Sequence, residues 1–457
     1  MTNWVISIIN KIGIDKSIAY ASSARIIQGF TGVVSIFFIS TFLTGVEQGF
    51  YFTFGSILAL QVFFELGLTS IMTQYVAHEA AHLELGGEYE YFGEYKYRSR
   101  LASLLHFCFK WYSILSIIVF LVLLVIGYVY FSKYGDSHAD NISWKFPWLL
   151  ICIGTALKLF QSPFTSIITG LGYVKEMSRV NFYQQLIIPL CTWLGLSMGL
   201  KLSVMGLGYL VSVLIWFYFV SKDHLVLILL KLWRIQIIDC VSYLKEIFPF
   251  QLKIALSWVS GYFTYQLFNP VLFATEGPEI AGQMGMTLQV LNAVIAFSFS
   301  WQNTKIPRYS GFIASKQYSE LDSLFRTTTI QMLGVCAVLV VGFIASIVFL
   351  QTLNISIMGV NISERFLPFE HLLMFSISVI FQQLVASWAV YTRCHKKEPY
   401  LIYSIVSGGL CLISTLVLGN YFGLDGITIG YTVITCLLSP WAYIIYKFKK
   451  IEWHEKS

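Results

Sequence analysis

Twelve stretches of this chain are apolar for long enough to cross a bilayer, lying roughly at 17–41, 48–76, 104–131, 147–169, 181–200, 203–221, 249–273, 283–303, 328–351, 369–392, 400–419 and 424–446. A helix rising ~1.5 Å per residue needs ~20 apolar residues to cover ~30 Å of hydrocarbon. Inside hydrocarbon every backbone N–H and C=O must find its partner within the structure, so isolated runs of this length are helical. Composition agrees: 12% of residues are charged and 56% hydrophobic, against a charged share of ~25% in soluble domains. The expected fold class is an all-α polytopic membrane protein of about 12 transmembrane helices.

The net charge of +6 raises the question of a polyanionic partner. Once the runs alternate across the membrane, however, most of the basic residues share one side, among them Lys96, Arg98, Arg100, Lys175, Arg179, Lys222, Lys231, Arg308, Lys397 and Lys450. Opposite them lie Lys133, Lys145, Lys201 and Arg365. The excess of Lys and Arg marks the cytoplasmic side, so both termini are expected there, and the charge encodes topology, not nucleic-acid binding. The first run is long and is followed by eleven more, which disfavours a cleaved signal peptide with a short apolar region. Cysteines fall within spans or on the cytoplasmic side, where thiols stay reduced, so neither disulfides nor a CxxC-type metal site is expected.

Between the sixth and seventh runs lies KDHLVLILLKLWRIQIIDCVSYLKEIFPF. Its lysines and arginine are interleaved with leucine, isoleucine and Trp233, the pattern of a helix lying in the membrane interface. It predicts an N-terminal six-helix bundle over 1–221, an interfacial linker over 222–248 and a C-terminal six-helix bundle with a short cytoplasmic tail over 249–457. The halves echo one another: Gly49 and Gly282 each open an even-numbered span, Tyr75 with Ala80 matches Tyr309 with Ala314, and Gly208-Tyr209 matches Gly430-Tyr431. The order of these matches suggests two bundles related by a pseudo-two-fold axis, a common plan for alternating-access transporters.

Enzymatic readings find little support. The external loops are short and gather no His/Asp/Glu cluster suited to hydrolysis or glycosyl transfer, and no GxxxxGK[ST] motif is present. GLGYVKE at Gly170 lacks the third glycine of a dinucleotide fingerprint. No cofactor is expected.

Polar residues within the apolar runs are the candidate site, because an intramembrane charge is costly and usually functional. Arg25 in the first span, Glu65 in the second, Lys158 in the fourth and Lys253 in the seventh stand out. Arg25 and Glu65 are at depths where they can pair across a helix contact, and mutual neutralisation is the plainer account of both. Lys253 is only a few residues inside its span and can snorkel to the interface. Lys158 is harder to explain away, being near mid-membrane with Gln161, Ser162 and Thr165 along much the same face. Gln28, Gln161, Gln266, Asn269 and Gln382 are uncharged candidates for lining a cavity, although most such residues act as hydrogen-bonding glue between helices. Three basic groups against one acidic favour an anionic ligand, and arginine and lysine both suit phosphate.

GVEQGFYFTFGSILALQVFFELGLTSIMTQYVA, Gly45 to Ala77, resembles the second-span signature of Wzx-type O-antigen and polysaccharide flippases, in the multidrug/oligosaccharidyl-lipid/polysaccharide exporter superfamily. ATEGPEIAGQMGMTLQVLNAV and IPRYSGFIASKQYSELDSLFR resemble the second half of the same family. The resemblance implies two six-helix bundles in a bacterial inner membrane. It also implies transfer of undecaprenyl-diphosphate-linked oligosaccharide from the cytoplasmic to the outer leaflet, with Arg25, Lys158 and Lys253 engaging the diphosphate. Its partners would be the lipid-linked substrate, the bilayer, and a glycosyltransferase or polymerase of the assembly pathway. The tyrosine-rich loop HEAAHLELGGEYEYFGEYKYRSR is a candidate dock for the last of these, but its plainer reading is a solvated helix extension. A multidrug or cation exporter of the same superfamily, a membrane enzyme of polysaccharide assembly and a non-transporting scaffold are the competing functions.

Overall fold

The computed structural model describes residues 31–32, 34–135, 142–243, 247–353, 356–357, 359–395 and 397–455, with the side chains at 88, 249, 250, 253, 254, 257, 357 and 455 left aside. Arg25 and Gln28 lie outside the described residues. The protein is an all-α membrane chain, as the apolar runs require. Each of the eleven runs from residue 48 onward is occupied by helix. Among the described residues seven helices are individually long and apolar enough to cross a membrane, and a broken pair makes an eighth.

The second span is that broken pair. Its first part, α1 (Gly45–Leu58), starts with a capping box. Thr44 Oγ1 accepts from Glu47 N at 3.1 Å while Glu47 Oε2 accepts from Thr44 N at 2.9 Å, which satisfies two otherwise orphaned donors. A short turn, α2 (Val62–Glu65), precedes Leu66 and Gly67, which have φ of 49° and 71°, and the helix resumes as α3 (Leu68–Ala80) at a bend of 42°. Left-handed residues end a helix in this way.

The loop after α3 corrects an expectation. It does not extend the helix but turns into a two-stranded antiparallel hairpin, β1 (Leu83–Leu85) with β2 (Tyr91–Gly93). Paired glycines at 86 and 87 open the turn, and Gly93, at φ +144°, sits where a Cβ would lie 2.9 Å from His82 O. Tyr91 anchors the hairpin, its hydroxyl donating to Leu171 O at 3.2 Å.

Then come α4 (Tyr95–Tyr134), α5 (Lys145–Gly170), α6 (Val174–Ser197) and α7 (Ser203–Lys222). The region between the sixth and seventh spans holds α8 (Leu225–Trp233), which buries Leu225, Ile228 and Leu232 on one stripe and exposes Leu227, Leu230 and Trp233. Both of these faces are apolar, and Lys231 is the one charged residue of this helix. The segment after α8 is stitched to α4: Ser99 Oγ accepts from Ile238 N and Asp239 N at 2.8 and 2.9 Å, and Ser103 Oγ accepts from Val241 N at 3.1 Å.

The rest comprises α9 (Phe248–Tyr265), α10 (Phe268–Thr275), α11 (Pro278–Ala314), α12 (Tyr318–Thr352), a two-residue strand pair β3 (Ser356–Ile357) and β4 (Val360–Asn361), α13 (Phe369–Cys394) and α14 (Leu401–Glu455). The long α14 is two spans folded back at Gly423, whose φ of 53° and ψ of −128° are not helical. Glu276 Oε1 accepts from Leu424 N at 2.6 Å and so caps the returning arm. A Cβ on Gly423 would lie 1.5 Å from that same oxygen. Gly423→Ala therefore combines a clash with a strained backbone, together of order 1–3 kcal/mol. Its yield of monodisperse protein in size-exclusion chromatography is expected to fall well below that of Gly409→Ala, whose methyl meets nothing within 4 Å. Equal yields would contradict this account of the bend.

Contacts group the chain into two compact units, one including Leu60–Ser132 and Asn141–Ala255, the other including Gly32–Ala59 and Leu256–Ser457. Thus α1 packs with the C-terminal helices. In this second unit Gly49 meets α11 directly: a Cβ there would lie 1.9 Å from Pro278 O, and one on Gly282 would lie 2.9 Å from Gly49 N. Gln48 Nε2 donates to Gly282 O at 2.8 Å and to Arg365 O at 3.0 Å, and the rings of Phe50 and Phe273 meet edge-on at 4.9 Å. The two glycines matched by the sequence repeat are the point at which these helices touch.

Candidate functional site

In the first unit the polar face of α5 packs against α7 and α3. Pro163 cannot donate to Leu159 O, and the carbonyl it leaves free accepts from Ser162 Oγ at 2.8 Å. One turn before that break Lys158 stands half-buried, its ammonium 4.8 Å from the ring centroid of Tyr209 on α7. No carboxylate pairs with it among the described residues. Close approach of α5 and α7 is allowed by Gly154, where a Cβ would lie 2.8 Å from Tyr209 Cβ. Gln161 is buried with its Oε1 unpartnered, and Thr165 Oγ1 accepts from Trp216 Nε1 at 2.9 Å. The face therefore presents one ammonium and an amide oxygen without protein partners of opposite charge.

Glu65 lies at the break of the second span. Its Oε1 accepts from Thr69 Oγ1 at 2.5 Å, and its backbone carbonyl accepts from Gln251 Nε2 at 3.4 Å. The buried Tyr112 phenol is within electrostatic reach of it. Lys253 is on α9, two residues beyond Gln251.

In the second unit α9, α13 and both arms of α14 enclose a cavity of about 250 Å³. It is lined by Gln382 together with Tyr265, Tyr400, Tyr403 and Tyr431. Gln382 and its neighbour Gln383 divide the two roles expected of interior glutamines. Gln383 is buried and donates to Ile295 O at 3.1 Å and Ser298 Oγ at 2.6 Å, whereas Gln382 faces the cavity. Asn269 is placed as glue instead: it is buried and donates to Ser56 Oγ at 3.3 Å. Gln266 is half-buried in the break between α9 and α10.

The two units carry matching positions. Lys158 and Gln382 are each the fourteenth residue of a 26-residue helix, and each shares its cavity or cluster with the tyrosine of the Gly-Tyr pair matched in sequence, Tyr209 or Tyr431. The face Lys158, Gln161, Ser162, Thr165 corresponds to Gln382, Val385, Ala386, Ala389. Sequence reasoning nominated the first member of each set but missed the tyrosines, although the Gly-Tyr repeat was their signal. It also passed over Lys110 in the third span, which is exposed on its helix.

No family model and no curated protein matches the sequence. Solved structures do, and they show the fold: the chain shares it with a transporter of the MOP superfamily and with a lipid flippase. An inward-facing MATE-family multidrug-resistance transporter of that superfamily matches with a TM-score of 0.66 at 12% identity, covering 96% of this chain and 99% of its own. The lipid II flippase MurJ, in an inward closed conformation, matches at 0.55 with 13% identity, covering 93% and 86%. The Vibrio cholerae MATE transporter VcmN matches at 0.50 with 14% identity, covering 96% and 98%. These neighbours are transporters and a flippase, and at such identity the likeness shows the fold alone.

Proposed function

We propose that this protein moves an undecaprenyl-diphosphate-linked oligosaccharide from the cytoplasmic to the outer leaflet of a bacterial inner membrane. The observation that carries this reading is Lys158, an interior ammonium whose partner among the described residues is an aromatic ring and not a carboxylate. Retaining an unpaired charge at that depth costs at least ~2.5 kcal/mol on insertion scales. A phosphate-bearing lipid is the cargo that repays it, because the diphosphate supplies the missing negative charge. Arg25 and Lys253 are assigned to the same anion by resemblance, and Glu65 to an ion pair or to coupling. Likeness to a lipid flippase supports the lipid-linked cargo.

A multidrug or cation exporter is the second reading, favoured by likeness to a MATE transporter. A cation needs interior carboxylates, and in the first unit the polar face of α5 offers an ammonium instead. The test is complementation: the chain is expressed in a strain deleted for its own flippase, and surface polysaccharide is measured per unit of membrane protein. Restored polysaccharide is the expected result. Resistance to cationic dyes without restored polysaccharide would establish the second reading in its place.

A further inference from the structure

The cavity of the second unit has a chemistry of its own. Its stripe on α13 runs Gln382, Val385, Ala386, Ala389, and the three small apolar side chains leave open the volume into which Gln382 projects. Gly261 on α9 also lines it, and a Cβ there would meet nothing within 4 Å. The cavity is not a by-product of loose packing, for one turn of α14 away Gly408 is so close to α9 that a Cβ would lie 2.7 Å from Ser260 O.

The lining is uncharged where it matters. Among the described residues no carboxylate lines it, and the one basic lining residue, Arg393, is clamped by Glu398 through bonds of 2.7 and 3.1 Å. A cation finds no counter-charge there, and an anion finds a guanidinium already neutralised. An acyl chain would strand the polar groups, since the Gln382 amide and the Tyr265 and Tyr403 hydroxyls make no hydrogen bond among the described residues, and burying such groups unpaired is costly. What remains is an uncharged ligand that both donates and accepts hydrogen bonds and offers C–H faces to phenol rings. At about 250 Å³ the cavity falls just below the ~300–1,000 Å³ of drug-sized sites, which suits one ring and not two.

We propose that this cavity is a binding site for a single uncharged sugar ring, held by Gln382, Tyr265 and Tyr403 against the ring of Tyr431. The choice of a sugar among polyols rests on the flippase reading above. The site deepens that reading by giving the C-terminal bundle a saccharide role, where the matching face of α5 carries Lys158.

The test is saturation-transfer difference NMR on the full chain in lipid nanodiscs, with the methyl glycosides of glucose, galactose and N-acetylglucosamine as probes and choline as the cationic control. At least one glycoside is expected to receive saturation and choline none. Gly261→Leu, which fills the cavity, should abolish the signal. Tyr403→Phe, which keeps the shape and removes one hydroxyl, should lower it at least about fivefold, the order of a lost buried hydrogen bond. Gly409→Ala should leave it unchanged. Saturation of choline instead of the glycosides, no transfer to any glycoside, or transfer that Gly261→Leu and Tyr403→Phe both leave intact would overturn the site. Absent transfer with polysaccharide export restored strikes this site alone, whereas failed complementation with the glycoside signal intact strikes the flippase reading and leaves the site standing.

Discussion

Lys158→Ala is expected to lower surface polysaccharide per molecule of membrane protein by at least about tenfold, the order of one charge-assisted contact to phosphate. Protein level should hold or rise, because a costly interior charge has been removed. A purely structural role through the Tyr209 ring makes a different forecast, since a cation over an aromatic face contributes roughly 0.5–2 kcal/mol and its loss would lower protein level. Two further variants separate these accounts. Lys158→Arg keeps the charge and should retain part of the export, its fork replacing a compact ammonium. Lys158→Met keeps a long side chain against Tyr209 without the charge and should fail as Lys158→Ala does. Full export from Lys158→Met would show that the ammonium serves packing, and the anion role would fall with it.

The second large effect is expected at Gly49. An added Cβ would lie 1.9 Å from Pro278 O and 2.5 Å from Pro278 C, both backbone atoms that no rotamer change can move. Relief requires α1 and α11 to separate, breaking the bonds from Gln48 to Gly282 O and Arg365 O. Overpacking of this kind costs about 1–3 kcal/mol or more. Gly49→Val is therefore expected to give little monodisperse protein and little export, while Gly55→Ala on the same helix, where a Cβ meets nothing within 4 Å, should behave as the parent does. Equal yield and export from the two variants would contradict a direct helix contact at Gly49.

Hydropathy made the helices legible because spanning a membrane is a constraint on length and polarity that each segment meets by itself. Breaks inside spans were less legible. Leu66 and Gly67 read in sequence as part of a family signature, yet their left-handed backbone ends a helix in the middle of a run. Gly423 was visible as a boundary between two runs, but the carboxylate of Glu276 that caps the returning helix comes from another span. The hairpin of β1 and β2 was missed although Gly86-Gly87 is a turn signal, because acidic and aromatic residues around it suited a solvated helix equally well.

The candidate site was legible to a similar depth. Lys158 stood out because position within a span determines the cost of a charge. Gln382 and Gln383 could not be told apart, since adjacent residues on a helix face directions about 100° apart and only the packing decides which one meets a cavity. Asn269 reads as a cavity residue by type, and its bond to Ser56 depends on a helix distant in sequence. Tyr209 and Tyr431 were noticed as a repeat before any role for them was apparent, and their rings beside Lys158 and Gln382 give that repeat its physical sense.

The most direct measurement is translocation by the purified chain in proteoliposomes. A fluorescent undecaprenyl-diphosphate oligosaccharide is placed in one leaflet beside a lipophilic cationic dye, and the appearance of each on the other side is followed. The account predicts that the wild-type protein moves the lipid-linked oligosaccharide, that Lys158→Ala moves it at least about tenfold more slowly, and that the dye is not transported. Transport of the dye with the lipid-linked oligosaccharide left in place would contradict it.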